Sequence, residues 1–330
     1  MTQIRNRRLL RHRAAAVVVV VSALAVCLAA CSGGASSDGA DTERIDPDAE
    51  TVDQALYDGL PDAIRDAGVV KVGGSFESLP LLNADPSDGS RPVGVGPELT
   101  ALMEPIMGVD IEWENTAWPG QLPGLAAGSL DALMGQISVT ADREREVADL
   151  VPFFLAATGI AYAGGNPDDF TQDLASLCGR RVATVSGSLY VGLLEGASEK
   201  YCESAGEDPI AISEYSTASA GAAALLSGQI DGYLEGAQSV RGIAAKSEGG
   251  MEWVELSHEQ TKEWDPGLYG IAVDKSNPGL SAAFLGALRA IVEDGSYAKV
   301  LSKHDAGGAL TLDQIKGNPL TGTPFGAKAD

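Results

Sequence analysis

Two ten-residue segments, a hundred positions apart, follow one pattern, and this repeat constrains the fold more than any other feature. Leu125-Ala126-Ala127-Gly128-Ser129-Leu130-Asp131-Ala132-Leu133-Met134 parallels Leu225-Leu226-Ser227-Gly228-Gln229-Ile230-Asp231-Gly232-Tyr233-Leu234. Each reads as helix, glycine cap, apolar residue, aspartate, strand. α/β turns resemble one another, so one short match would mean little; a match over ten positions implies two similar lobes.

The surrounding pattern agrees. In the first half, 69–73 is a β-rich run stopping at glycines, and Gly94-Val95-Gly96-Pro97-Glu98 is a turn with Pro at the first helical position. A helix to about Met107, an alternating strand at 110–114, a helix at 122–127 and a strand at 132–134 follow. The series then restarts with a strand at 181–185, the Ser186-Gly187-Ser188 turn and a helix at 189–195. A helix at 218–226, a strand at 230–234 and a later strand at 270–273 complete it. Phe284, Leu288 and Ile291 fall at helical spacing, with Gly295 as a candidate cap. Strands alternating with helices imply parallel α/β sheets.

Ahead of this region stand Arg5, Arg7, Arg8, Arg11 and Arg13, then an apolar run at 14–30, then Cys31. Charged, apolar and small-residue zones in this order read as an export signal. A spanning helix wants about 20 apolar residues; this run is slightly shorter and meets a polar linker without a charged stop. Leu28-Ala29-Ala30-Cys31 resembles the lipobox of bacterial lipoproteins, which implies cleavage after residue 30 and a lipid on Cys31. Arg7-Arg8 fits twin-arginine export poorly. The small, acidic stretch at 31–54 reads as a flexible tether.

Loss of the five signal arginines takes the formal net charge from −23 to −28. So acidic a chain lacks the basic patches that nucleic-acid binding requires. Removal of the signal and linker leaves about 270 residues, more than one core usually serves. Cys27 leaves with the signal and Cys31 is the lipid site, so Cys178 and Cys202 remain in an oxidising compartment, where two cysteines usually pair. The alternative is two separate buried thiols. A bridge would close a 25-residue loop, worth roughly 3 kcal/mol on loop entropy. His258 and His304 are the only histidines left and sit in no ligand-spaced cluster, so neither a metal nor a cofactor is expected.

Several ordered segments carry a family likeness: Gly135-Gln136-Ile137-Ser138-Val139-Thr140-Ala141-Asp142-Arg143-Glu144-Arg145, then 149–154, then 173–183, then Tyr269-Gly270-Ile271-Ala272-Val273. Together with the repeat, they resemble the extracellular solute-binding proteins of ABC importers, family 3, the amino-acid-binding type, over about 69–303. The resemblance implies a two-lobed α/β periplasmic-binding-protein fold of type II, with solute held between the lobes. Lobe one would comprise 55–157 and 270–305, lobe two 162–265, and the C-terminal tail 306–330. The chain would cross between lobes near 157–163 and 264–271, and the tail would wrap the surface or be mobile.

The resemblance places Arg143 on the ligand's α-carboxylate, which suits the planar fork of a guanidinium. Without the motif, Arg143 reads as one charge of a salt-laced helix start. Ser138 and Gln136 fall where the family supplies polar ligand contacts, and Trp118 where it places an aromatic wall. Trp113 is the better candidate for core packing. Ser186, Gly187 and Ser188 match a helix-start turn that favours an anion, a role compatible with simple capping. The departures concern the other end of the ligand. The family's first acid and aromatic become Ser75 and Ser78, and its amine-binding acid falls on Gly236, with Glu235 one residue before. Unless Glu235 substitutes, an α-ammonium would be buried without a partner, at a cost.

The expected function is a monomeric, lipid-anchored receptor on the extracytoplasmic face of the cell membrane. It would bind an amino acid or related small polar carboxylate and deliver it to an ABC permease. A ligand sensor without transport is the main alternative. A dehydratase or lyase on the same fold is the lesser one: Glu77, Glu214 and Glu235 are its candidate acids and bases, and no catalytic triad is visible.

Overall fold

The computed structural model describes residues 51–327; the expected signal, Cys27, Cys31 and the linker up to residue 50 lie outside them. Among the described residues no helix is long and apolar enough to cross a membrane. The Asp53 side chain caps α1 (Gln54–Gly59), accepting from the amides of Ala55 and Leu56, and α2 (Asp62–Ala67) follows. β1 (Val69–Gly74) leads into a small antiparallel sheet of β2 (Glu77–Ser78), β3 (Leu82–Ala84) and β4 (Pro92–Val93). Next come α3 (Val95–Met107), β5 (Asp110–Asn115), α4 (Trp118–Ala126) and β6 (Ala132–Leu133). A five-residue π-turn, Arg143–Val147, ends at β7 (Ala148–Leu155). Pro97 stands third in α3, not first; any of the first few positions suits proline, because those N–H groups have no helical partner.

The chain then builds β8 (Thr158–Ala163), β9 (Arg181–Val185), α5 (Leu189–Ala197), β10 (Ala211–Tyr215), α6 (Ala218–Leu226), β11 (Gly232–Gly236), α7 (Ala237–Lys246) and β12 (Met251–Glu255). It returns through α8 (His258–Thr261) to β13 (Leu268–Asp274), α9 (Pro278–Glu293) and α10 (Ser296–Lys303).

Two five-stranded sheets result, ordered β5-β1-β6-β13-β7 and β10-β9-β11-β8-β12. Each has three parallel strands, a fourth antiparallel to them and a fifth antiparallel to the fourth. The repeated ten-residue segment occupies the same place in both. Asp131 accepts from the Lys71 amide at 2.8 Å, and its own amide donates to the Lys71 carbonyl at 2.9 Å. Asp231 holds Arg181 in the same way, at 2.8 Å in each direction. Each aspartate thus pins the first strand of its sheet. The preceding Gly128 and Gly228 adopt φ of 70° and 72°, a left-handed helix end that glycine reaches without strain. Leu130 and Ile230 are both buried.

Lobe one is packed around α3, α9 and the sheet, with Leu99, Met103, Phe284 and Leu288 fully buried. Burial of each such side chain contributes about 1.5–3 kcal/mol. Trp113 packs against this core and donates to Thr100 Oγ1 at 3.1 Å. Lobe two has apolar clusters around Leu193 and Leu194, and around Tyr233 and Val240. Cys178 and Cys202 form a disulfide within it, Cα–Cα 5.4 Å.

The crossings differ from the expected 157–163 and 264–271. β8 already belongs to the lobe-two sheet from Thr158, and β13 to the lobe-one sheet from Leu268. The links are therefore 156–157 and 256–267. The stretch from β7 through β8 is almost continuously apolar, so hydrophobic pattern alone does not reveal where the chain changes sheets. The tail beyond residue 305 packs on lobe one: Leu310, Ile315 and Asn318 are all buried.

Candidate functional site

The loops at the strand ends of both sheets enclose a cavity of about 270 Å³. Eight of the residues singled out from the sequence line it: Ser75, Ser78, Trp118, Gln136, Ser138, Arg143, Ser188 and Glu235. Ser186 does not; its amide is bonded to the Tyr215 carbonyl at 2.9 Å.

Arg143 belongs to the lobe-one wall. The π-turn that carries it begins after Thr140, whose hydroxyl accepts from the Arg143 amide at 3.2 Å. Nη1 donates to the Ser138 carbonyl at 2.7 Å, and the guanidinium lies 5.1 Å from the centre of the Trp118 ring. This is cation–π geometry. Burial holds the guanidinium pKa below its ordinary value, and Asp265 acts on it only through space. Among the described residues no carboxylate is ion-paired with Arg143, so its remaining donors can take an anion.

Glu235 forms part of the lobe-two wall, near the end of β11, and is 7 % exposed. Tyr233 Oη donates to its Oε2 at 3.2 Å, and the Gly236 amide donates to Oε1 at 3.4 Å. Burial pushes its carboxyl up to about 7. Beside it the hydroxyls of Tyr190 and Tyr269 are bonded to each other at 3.2 Å, and burial drives both pKa values well above the ordinary phenol value. Gly236 has no room for a side chain. A Cβ there would lie 1.9 Å from Tyr269 Oη and 2.9 Å from Gln136 Nε2. The tyrosine hydroxyl thus occupies the space that an acid at 236 would need, which leaves Glu235 as the acid of this wall.

Two buried polar atoms on the lining, Gln136 Nε2 and Gln121 Oε1, have no hydrogen-bond partner among the described residues. Gln136 Oε1 accepts from Ser239 across the lobes at 3.2 Å, and Gln121 Nε2 donates to the Thr116 carbonyl at 2.8 Å. Each side chain is therefore anchored at one end, while its other polar atom is buried without a partner. A second interlobe tie joins Glu77, on β2, to the first turn of α6. Its Oε2 accepts from Ser219 N at 3.2 Å and Ser219 Oγ at 2.9 Å.

Tyr190, Gln121, Asn115 and Thr217 also line the cavity and were not identified from the sequence. Tyr190 is the second residue after the Ser-Gly-Ser turn, which places it in the first turn of α5. That position was the available signal, but an aromatic among leucines reads as core. Glu77 was noted only as an acid near a loop. Among the described residues no cluster of three potential metal ligands occurs. The arrangement provides a cation on one wall, a titratable acid on the other and amides between, a set suited to holding a small zwitterion.

Comparison with known proteins gives the same direction. The family model of bacterial extracellular solute-binding proteins, family 3, matches residues 70–306. The arginine-binding protein ArgT of Corynebacterium glutamicum is 27 % identical over 262 residues, 79 % of this chain and 81 % of that protein. The lysine/arginine/ornithine-binding periplasmic protein of Escherichia coli is 25 % identical, covering 75 % and 89 % of the two chains. Among solved structures, the amino acid ABC transporter substrate-binding protein AbpA of Streptococcus pneumoniae, bound to L-arginine, superposes with a TM-score of 0.64 at 19 % identity, covering 74 % and 97 %. That likeness concerns the fold: two lobes of the type II periplasmic-binding class.

Proposed function

The chain belongs to the bacterial extracellular solute-binding proteins, family 3, and on that premise we propose that it captures an amino acid in its interlobe cleft. Arg143 takes the α-carboxylate through paired, charge-assisted hydrogen bonds. Glu235, ionised by the approaching cation, takes the α-ammonium in place of the acid that Gly236 lacks. The observation that carries this reading is the presence on one cavity of a half-buried Arg143 ion-paired with no carboxylate and a buried Glu235. Ser75, Ser78, Ser138 and Ser188 complete the polar lining, with Trp118 as the aromatic wall. The relatives named above bind arginine, lysine or ornithine, so a basic amino acid is the first solute to try.

On this reading the protein is a receptor and not an enzyme. Cleavage after residue 30 leaves Cys31 lipidated, and the acidic tether holds a monomeric receptor at the outer face of the membrane. Anchoring raises its effective concentration at an ABC permease, which receives the solute. The polar groups of the cleft are spent on holding a ligand, and closure of the lobes excludes water from it.

A thermal-shift panel of the standard amino acids and ornithine, with mass analysis of any copurifying small molecule, tests the reading. A ligand at a hundred times its Kd stabilises the native state by about 2.7 kcal/mol, which raises the melting temperature measurably. A flat response across the panel with nothing copurified overturns it.

A further inference from the structure

The described tail extends about twenty residues beyond the region matched to the family, and it passes over the turn that carries Arg143. Glu144, the next residue, is fully buried. Its carboxylate accepts from the Leu320 amide at 3.1 and 3.2 Å and from the Thr321 amide at 2.6 Å. Among the described residues it is ion-paired with no cation, so the tail amides are what offsets its burial. The strand that follows the turn is held as well. Asn318, itself fully buried, exchanges hydrogen bonds with Leu150 at 2.8 and 2.9 Å, and its Nδ2 donates to Asp149 at 3.1 Å. The Gly326 amide donates to Asp149 at 2.9 Å, and Lys275 Nζ donates to the Ala327 carbonyl at 2.8 Å.

Successive side chains of a helical turn diverge by roughly a quarter turn or more. With Glu144 drawn into lobe one by the tail, Arg143 is turned toward the cavity. We propose that residues 318–327 form a strap that fixes the binding posture of Arg143, with Glu144, Asn318 and Thr321 as positioning residues. This rests on the reading that Arg143 binds the ligand carboxylate.

The test uses protein labelled with 5-fluorotryptophan. Four tryptophans give four ¹⁹F resonances, and Trp118→Phe identifies the one under Arg143. Two variants release the strap: truncation after Gly317, and Thr321→Pro, which removes the amide donor at 321 and leaves the Asp149 contacts in place. Either variant, if folded by circular dichroism, should shift or broaden the Trp118 signal while the other three stay put. Addition of a peptide of residues 316–330 should restore the signal in the truncated chain. In the same variants the preference for L-arginine over L-argininamide, which lacks the carboxylate, should fall about tenfold, the scale of one displaced hydrogen bond to a charge. A role confined to folding would weaken both ligands alike. If the truncated chain does not fold, Thr321→Pro decides. An unmoved Trp118 signal in a folded variant overturns the proposal. The fluorine readout needs no ligand, so failure of every amino acid to bind would sink the functional reading and leave this result interpretable.

Discussion

The two walls of the cleft carry ionisable groups of opposite kind under different rules. Arg143, on the lobe-one wall, stays cationic at any physiological pH even though burial lowers its pKa, because a guanidinium starts from so high a value. Glu235, on the lobe-two wall, is an acid whose burial brings its ionisation to about 7. One wall is a constant; the other responds to pH and to whatever approaches it. On the proposed reading, a ligand carboxylate meets a ready partner, whereas a ligand ammonium must help create its own.

Removing the constant wall should have the largest effect. Arg143→Ala should weaken a carboxylate ligand by more than about 100-fold, in line with the 2–5 kcal/mol for truncating one side of a buried charge pair. Isothermal calorimetry measures it, and an unchanged Kd would break the comparison at its stronger side.

The responsive wall comes next. Folded Glu235 holds its proton to about 7, against an ordinary value of 4.5. The native state thus binds more protons than the unfolded chain between these values, and native stability falls as pH rises through that window. The penalty is complete above pH 7 and amounts to roughly 3 kcal/mol. The ligand-free protein should melt higher at pH 5 than at pH 8, and Glu235→Gln should flatten that slope. Affinity for an ammonium-bearing ligand should rise with pH through the same range in the wild type and lose that rise in the variant. Parallel melting profiles of the two proteins would count against the assignment.

The smallest effect should come from the tie between the walls. Glu77→Ala removes the bonds to Ser219, both of whose partners are exposed, so the loss should be about 0.5–1 kcal/mol, a few-fold in Kd. Small-angle scattering of the ligand-free protein should report a larger radius of gyration. An identical scattering curve would show that the tie contributes nothing to closure.

Much of the lining of this cavity was legible before the structure, but unevenly. Arg143, Ser138 and Gln136 fall within one continuous motif, so their spacing along the chain carries the information. Glu235 was identified as a substitute only because Gly236 stood where an acid was expected. Tyr269 could not be assigned, because its part depends on a hydroxyl reaching β11 from a strand 33 positions later. Gln121 and Tyr190 resemble ordinary helix residues, and their orphaned amide and paired hydroxyl are properties of packing. The tail was left open between wrapping the surface and mobility for a related reason. A stretch rich in Gly, Thr and Pro looks unstructured when read locally, yet its amides satisfy two carboxylates, Glu144 and Asp149, more than 160 positions away.

By itself the sequence determined the repeated unit. Glycine at a left-handed helix end, an apolar plug and an aspartate beside a strand are local requirements, met within ten residues and met twice. It also determined that a guanidinium would stand after the third strand of lobe one. Only the tertiary structure decided which acid shares a cavity with that guanidinium, where the chain crosses between sheets, and which remote segments bond to the arginine's turn. Those outcomes rest on contacts between segments remote in sequence, where burial and the space left by neighbours, not residue type, set the result.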